Sequence, residues 1–398
     1  MECEYAIIGS GIIGLAVARS LKRKQPTSKV VIFDKERKSP LHASGRNSGV
    51  IHAGFYYTSD SLKAKFTREG NQMLTHYCEE RNLKINKCGK VVVARIPSEK
   101  ETILELERRG KKNGVEVRLI DSHELAAIEP NAKTCEIALY SPTTSTADPL
   151  EVSNSLRQDL INSGVEFVFG DGFQDRIGTN QFRTINGASV TFRKIVNCAG
   201  LYADKIARKF DLSSDYQIMP FKGLYLNYSG NDRPVRTNIY PVPNLENPFL
   251  GVHFTVKVDG KVKIGPTAIP AFWRENYYGL KRSNFSELRE IVPRQFELFV
   301  NNTFGFRDIA LKEVRKYAKS QMAKQSLSLV RKIDTSKFNK WGIPGIRAQL
   351  YDTSRKRLVS DFTVECGSNS IHILNAVSPA WTSSFPFADW VVESHIMK

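Results

Sequence analysis

The chain has 398 residues, too many for one simple core, so two domains are expected. Its 41% hydrophobic content is that of a globular protein, and no stretch approaches the run of about 18 apolar residues that a spanning helix needs. The formal net charge of +17 suits anionic substrates or an anionic membrane surface; the basic residues are dispersed and lack interleaved aromatics, so nucleic acid is not an expected partner. The first strand begins close to Met1, and no secretory signal is expected. Six scattered Cys without a CxxC pair fit reduced thiols, with no disulfide framework and no metal site. A cytoplasmic protein is the expectation.

In chain order, Tyr5-Ala6-Ile7-Ile8 reads as a buried parallel strand running into Gly9-Ser10-Gly11-Ile12-Ile13-Gly14. Gly9 permits the tight turn, Gly11 lets backbone approach a pyrophosphate, and Gly14 lets the next helix pack on the strand. That helix, Ile12 to Lys22, aims its N–H groups at the phosphates. Val30-Val31-Ile32-Phe33 then ends at Asp34, whose carboxylate can accept ribose hydroxyls. A polar loop follows from Ser39 to Tyr57. Ser61 to Asn82 has helical periodicity, with Leu62, Phe66, Met73, Leu74 and Tyr77 as the apolar face. Residues 84 to 145 mix strands, among them Lys90 to Ala94, with a charged helix from Glu99 to Asn113. Leu150 to Ser163 reads as helix, Val165 to Gly170 as a buried strand, and residues 189 to 193 as a hairpin strand. Tyr216 to Ile269 reads as an antiparallel sheet. Residues 284 to 332 return to helix, and the last 50 residues alternate strand and turn before a closing helix.

This order predicts an α/β chain. A discontinuous Rossmann-like dinucleotide domain would cover 1–85, 146–215 and 341–398. An inserted substrate domain with a mixed antiparallel β-sheet would cover 86–145 and 216–340.

Three further segments read as cofactor walls. Ile195-Val196-Asn197-Cys198-Ala199-Gly200 is a buried strand ending in small residues that let a flat ligand approach. Ser44 to Gly54 holds too many Gly, Ser and Asn for a packed element, and its backbone donors could line a ring. Ile371 to Ala376 leads into Ser378-Pro379-Ala380-Trp381-Thr382, where a helix beginning near Pro379 would turn its positive end toward a ligand.

Several motifs together carry a resemblance. They are the glycine fingerprint, Asn47-Ser48-Gly49-Val50-Ile51-His52-Ala53-Gly54, Ser61 to Lys65, Cys88-Gly89-Lys90, Asn197 to Gly200, Phe249 to Thr255, Ile346 to Gln349, and Asn375 to Pro379. In this order, nearly end to end, the chain resembles the L-2-hydroxyglutarate dehydrogenase/oxidase family of D-amino-acid-oxidase-like flavoproteins. The resemblance implies non-covalent FAD and oxidation of an L-2-hydroxy dicarboxylate, a small anionic acid, to the 2-keto acid. It also implies electron delivery to oxygen or to a quinone or other membrane acceptor; with +17 net charge and no spanning stretch, any membrane association is expected to be peripheral, at the inner face. The chain departs from the family pattern at Thr143 to Pro149, at Lys222 (where Arg is more usual), at Thr267 and at Trp381. Those departures bear on the substrate and leave the flavin framework intact.

The expected cofactor contacts are Gly9, Gly11, Ile12, Ile13, Gly14, Asp34 and Lys35, then Ser44, Asn47, Ser48, Gly49 and Val50, then Ala199 and Gly200, and last Ser378, Pro379, Ala380 and Thr382. Alcohol oxidation moves a hydride to the flavin while a base takes the hydroxyl proton. His52 and His253 are the base candidates, since imidazole titrates near working pH. Arg347 is the carboxylate clamp, because its planar fork matches a carboxylate. Lys222 and Tyr240 are candidates for a distal anionic group. The alternatives are a flavin amine or amino-acid oxidase on the same fold, and an FAD-bearing protein that does not turn over.

Overall fold

The computed structural model describes residues 1–245 and 251–397. Phe249 and Leu250, which belong to one of the resemblance motifs, lie outside the described residues. The chain forms two compact units. The first comprises Met1–Asn47, Pro149–Pro220 and Arg347–Lys398; the second comprises Ser48–Asp148 and Phe221–Ile346.

In the first unit the strand Glu2–Ile8 lies between Val30–Asp34 and Ser189–Asn197, parallel to both. Ile7 and Ile32 face each other across that register and are essentially excluded from water. Each such side chain contributes about 1.5–3 kcal/mol by burial. Glu166–Phe169 extends the sheet on one side, parallel to Val30–Asp34. The nine-residue strand Ser189–Asn197 unites two segments expected to be separate. Its start pairs antiparallel with Gln181–Thr184, which fits the hairpin signal, and its end pairs parallel with Ser370–Asn375. Helix Ile12–Lys24 packs against the closing helix Ala380–Val391, where the Arg19 guanidinium lies 4.3 Å from the centre of the Phe385 ring.

In the second unit an eight-stranded sheet runs in the spatial order Phe338–Trp341, Leu226–Tyr228, Val262–Gly265, His253–Val256, Asn238–Pro241, Lys90–Val93, Ile137–Ser141, Arg118–Asp121. The expected antiparallel pattern holds except at one junction: Asn238–Pro241 runs parallel to Lys90–Val93. The expected helix over 284–332 is broken into Phe285–Val300, Phe306–Val314 and Lys319–Ser326. Asn302, Phe304 and Gly305 adopt left-handed backbone between the first two, a conformation no right-handed helix can continue through.

Sequence reading puts the changeovers between domains after residues 85, 145, 215 and 340; the compact units change after 47, 148, 220 and 346. The large difference is the first. Val50–Ile51 and Ile85–Asn86 both pair with Ser145–Ala147, so residues 48–85 are tied into the second unit. Among the described residues no helix is long and apolar enough to cross a membrane.

Candidate active site

In the first unit the glycine turn is dictated by space. A Cβ on Gly14 would collide with the Gly9 carbonyl oxygen, and one on Gly9 (φ +107°) would stand 2.6 Å from the Cys198 carbonyl oxygen. These two glycines hold helix, strand and turn together. Gly11 differs: a Cβ there would meet only the Ser44 hydroxyl, at 3.0 Å. That hydroxyl accepts a hydrogen bond from the Ile12 N–H (2.8 Å), so a side chain already answers one of the helix's free N–H groups. Asn47 braces this short turn by donating to the Ser44 carbonyl (2.9 Å).

Asp34 stands at the end of its strand as expected. One of its carboxylate oxygens accepts from the Ser10 N–H (2.8 Å) and the Ser10 hydroxyl, and the other accepts from the Glu36 N–H (2.9 Å). A carboxylate has about four acceptor sites, so it can still take a ribose hydroxyl. Lys35 Nζ sits 4.4 Å from the centre of the Tyr202 ring. Beyond Asn197, Gly200 has φ +53° and open space where a Cβ would point. Ala380–Val391 starts from Pro379, with Ala380 and Thr382 buried in its first turn and no acidic residue there.

The second unit builds a different constellation. Asn71, on helix Leu62–Glu80, donates to the carbonyls of His52 (3.2 Å) and Thr143 (3.1 Å) and thereby fixes the His52 backbone. Asn113 pins the following loop through the carbonyls of Gly54 (3.1 Å) and Tyr57 (3.0 Å). Asn238 donates to the Gly89 carbonyl (3.0 Å) and accepts from the Val256 N–H (3.0 Å), aligning the strands that carry Lys90, Tyr240 and His253.

The result is a packed group. The His253 imidazole stacks on the Tyr240 ring, 3.7 Å between centroids at 17°. Its Nδ1 lies 2.9 Å from the Gly251 carbonyl oxygen, which can only accept; Nδ1 therefore carries the proton and Nε2 is the open nitrogen. Lys90 Nζ lies 4.3 Å from the centre of the other ring partner, Tyr240, and 3.4 Å from Nδ1 of His52. Burial dominates every titration here. It pulls Lys90 down to about 7 and His253 to about 3, and with the Lys90 and His253 charges it holds His52 well below 6.5. It pushes the Tyr56 and Tyr240 phenols up.

A family model described as FAD dependent oxidoreductase matches residues 4–394. The chain belongs to that family. FAD is its cofactor and it is an enzyme. The flavoenzyme is similar to the L-2-hydroxyglutarate dehydrogenase of Indibacter alkaliphilus, 36% identical, with 99% of this chain and 98% of that protein covered. It is 35% identical to the mitochondrial L-2-hydroxyglutarate dehydrogenase of Nematostella vectensis, with 98% and 90% covered. Among solved structures its fold is similar to L-alpha-glycerophosphate oxidase from Mycoplasma pneumoniae with FAD bound (TM-score 0.79, 20% identity, 100% and 96% covered). It is likewise similar to glycine oxidase from Geobacillus kaustophilus (TM-score 0.73, 16% identity, 99% and 94% covered).

Of the expected substrate residues, the flavoenzyme has His52, Lys222, Tyr240 and His253 in the second unit and Arg347 in the first, and brings Tyr240 and His253 into contact. Tyr240 was expected to meet a distal anion. Its ring is instead 1% exposed and taken up by His253 and Lys90, so it supports those two. Lys222, also buried, stands on another strand opposite Ile269, and burial lowers its pKa. Arg347 is half-buried on the strand Gly345–Asp352. Sequence reasoning missed Lys90 as a functional residue. The signal was there: a lysine heads the otherwise apolar strand Lys90-Val91-Val92-Val93, all of it buried.

Proposed function

We propose that this flavoenzyme oxidises L-2-hydroxyglutarate to 2-oxoglutarate. The observation that carries the reading is that relatives 35–36% identical along nearly the whole chain bear the name L-2-hydroxyglutarate dehydrogenase.

The residues of the first unit fit FAD. Gly11, where a Cβ would crowd only the Ser44 hydroxyl, suits a pyrophosphate at the start of helix Ile12–Lys24, with Ile13 offering its N–H and Ile12, whose N–H is held by Ser44, lining the turn. Asp34 and Lys35 suit the ribose end, and Ser44 and Asn47 supply a hydroxyl and polar backbone; Ser48, Gly49 and Val50, also expected as cofactor contacts, belong to the second unit. Ala199 and Gly200 suit a flat ring because nothing fills the space above Gly200. Ser378, Pro379, Ala380 and Thr382 suit its anionic edge through the helix they begin. When bound, FAD accepts the hydride from the alcohol carbon.

The chain's own groups do the rest. His52 takes the hydroxyl proton: it is only half-buried, whereas His253 is 3% exposed and stacked beneath Tyr240. Arg347 clamps the α-carboxylate through its fork, and Lys222 answers the distal carboxylate as a point charge. Electrons pass on to oxygen or a quinone-type acceptor. Contact with an anionic membrane surface is peripheral, drawn by the +17 net charge.

The test is anaerobic mixing of the holoenzyme with L-2-hydroxyglutarate, its D enantiomer, glycine, proline and sarcosine. The L-hydroxy acid alone is expected to bleach the flavin band. Bleaching by an amine and not by the hydroxy acid would make the protein an amine oxidase; no bleaching by any of them would leave it a non-turning FAD carrier.

A further inference from the structure

The Lys90 side chain is fully buried, and its amine has one hydrogen-bond partner among the described residues, Nδ1 of His52 at 3.4 Å. Ring centres of Tyr240, Tyr56 and Phe55 surround it at 4.3, 5.1 and 5.4 Å. Among the described residues no carboxylate is one of its partners. A buried lysine without a counter-charge is rare, and its position against His52 has a definite consequence. An ammonium only donates. Facing one, Nδ1 of a neutral His52 must be the bare nitrogen, so the ring proton sits on Nε2 and that atom cannot act as a base. A neutral amine reverses the roles: it accepts from the Nδ1 proton and leaves Nε2 unprotonated.

We propose that Lys90 is a positioning residue for the base: as a neutral amine it holds His52 in the Nδ1–H form and takes the Nδ1 proton when Nε2 receives the substrate's hydroxyl proton. This rests on the reading of His52 as the base. The step balances. One O–H bond breaks and one N–H bond forms at Nε2; one N–H bond breaks at Nδ1 and one forms at Nζ. The electron pair of the C–H bond leaves with the hydride to the bound cofactor. His52 ends neutral in the Nε2–H form, and Lys90 ends as an ammonium.

The surroundings favour that direction. Lys90 titrates at about 7, and the imidazole lies lower, held down by burial and by Lys90 itself, so a proton reaching the ring moves on to the amine. The other titratable groups facing the pair are Cys88, Tyr56, Tyr240 and His253. Burial pushes the thiol and both phenols up and His253 down to about 3, so all four stay neutral at working pH. The three aromatic faces then lend the new ammonium some stabilisation.

The experiment uses the holoenzyme with ¹⁵N-labelled histidine, His52 being assigned from the signal lost in His52→Ala. In the wild type without substrate, His52 is expected in the Nδ1–H form above about pH 7 and in the Nε2–H form below it. The acidic limb of substrate-driven flavin reduction should fall at the same pH. Lys90→Met should abolish the tautomer switch, lower the reduction rate on the order of 10²-fold and move the limb to lower pH, where His52 alone titrates. Lys90→Arg keeps a charge it cannot release; it should lock the Nε2–H form and be as slow. A wild-type His52 whose tautomer ignores pH would overturn the proposal even if neither variant folds. So would a Lys90→Arg enzyme with the wild-type rate and limb, since charge alone would then suffice. Wild-type reduction by His52→Ala is a different failure, that of the base assignment itself.

Discussion

The imidazole of His253 lies flat on the ring of Tyr240, and its Nδ1 proton is held by the Gly251 carbonyl. A ring so enclosed folds neutral. His253 binds a proton only near pH 3 in the fold but near 6.5 in an unfolded chain. Between those values the unfolded state carries the extra proton, so the stabilisation is complete above about 6.5 and is lost as pH falls toward 3. His372, held down to about 4 by burial in the first unit, acts in the same sense. Melting temperature should therefore fall steadily as pH is lowered from 6.5 to 4. His253→Phe, which keeps an aromatic ring on Tyr240 without a titrating group, should flatten that fall. An unchanged slope would mean His253 is already charged in the fold.

The glycine turn separates folding from cofactor binding. Gly14→Ala puts a methyl group into the Gly9 carbonyl and should cost about 3 kcal/mol or more, read as a lower melting temperature of the apoprotein. Gly11→Val crowds the Ser44 hydroxyl rather than backbone, so the apoprotein should lose less stability than Gly14→Ala yet stay colourless after incubation with FAD. A yellow Gly11→Val protein would put the pyrophosphate elsewhere.

Arg347→Lys exchanges a planar fork for a point charge. The expected loss is about 2–4 kcal/mol in kcat/KM, mostly through KM, with L-2-hydroxyglutarate as substrate. Wild-type kinetics on every acid substrate would make Arg347 structural.

His52→Ala should slow anaerobic flavin reduction by roughly 10² to 10⁴ and leave FAD content unchanged, because no cofactor role is assigned to His52. His253→Ala is the control. If it alone abolished reduction, the base would be the open Nε2 of His253.

Membrane contact should respond to salt. Flotation with anionic vesicles is expected at low ionic strength and should be lost at high, since screening acts on exposed charges. Flotation that survives high salt would instead implicate apolar side chains. Phe285 and Phe296 are each 68% exposed on helix Phe285–Val300 and are the ones to replace with serine.

The sequence made the nucleotide-binding turn legible because its determinants are local. Strand, glycines, helix and Asp34 fall within 34 residues, and Gly14 has a steric reason inside the turn itself, the Gly9 carbonyl. The Lys90 group was not legible for the opposite reason. Lys90, Tyr240 and His253 meet only because Asn238–Pro241 inserts between two other strands and runs parallel to one of them, and no pattern within a strand announces its neighbours. The compact units likewise change earlier than the first expected domain boundary. Two-residue strands at 50–51 and 85–86 carry too little periodicity to signal that both pair with 145–147. The long helical stretch after 284 was readable as helix, but its breaks hang on single left-handed residues that a periodic reading passes over.

The order of synthesis follows from the three-piece first unit. The strand Ser189–Asn197 has Glu2–Ile8 on one edge and waits for Ser370–Asn375 on the other, while helix Ile12–Lys24 waits for Ala380–Val391. The second unit ends at Ile346 and can complete its own contacts first. On the ribosome the nascent chain therefore carries a half-covered nucleotide fold until residues 370–391 emerge, an exposure that favours chaperone capture and penalises stalling. Removing the final helix should yield aggregation rather than a shorter enzyme with weaker FAD binding.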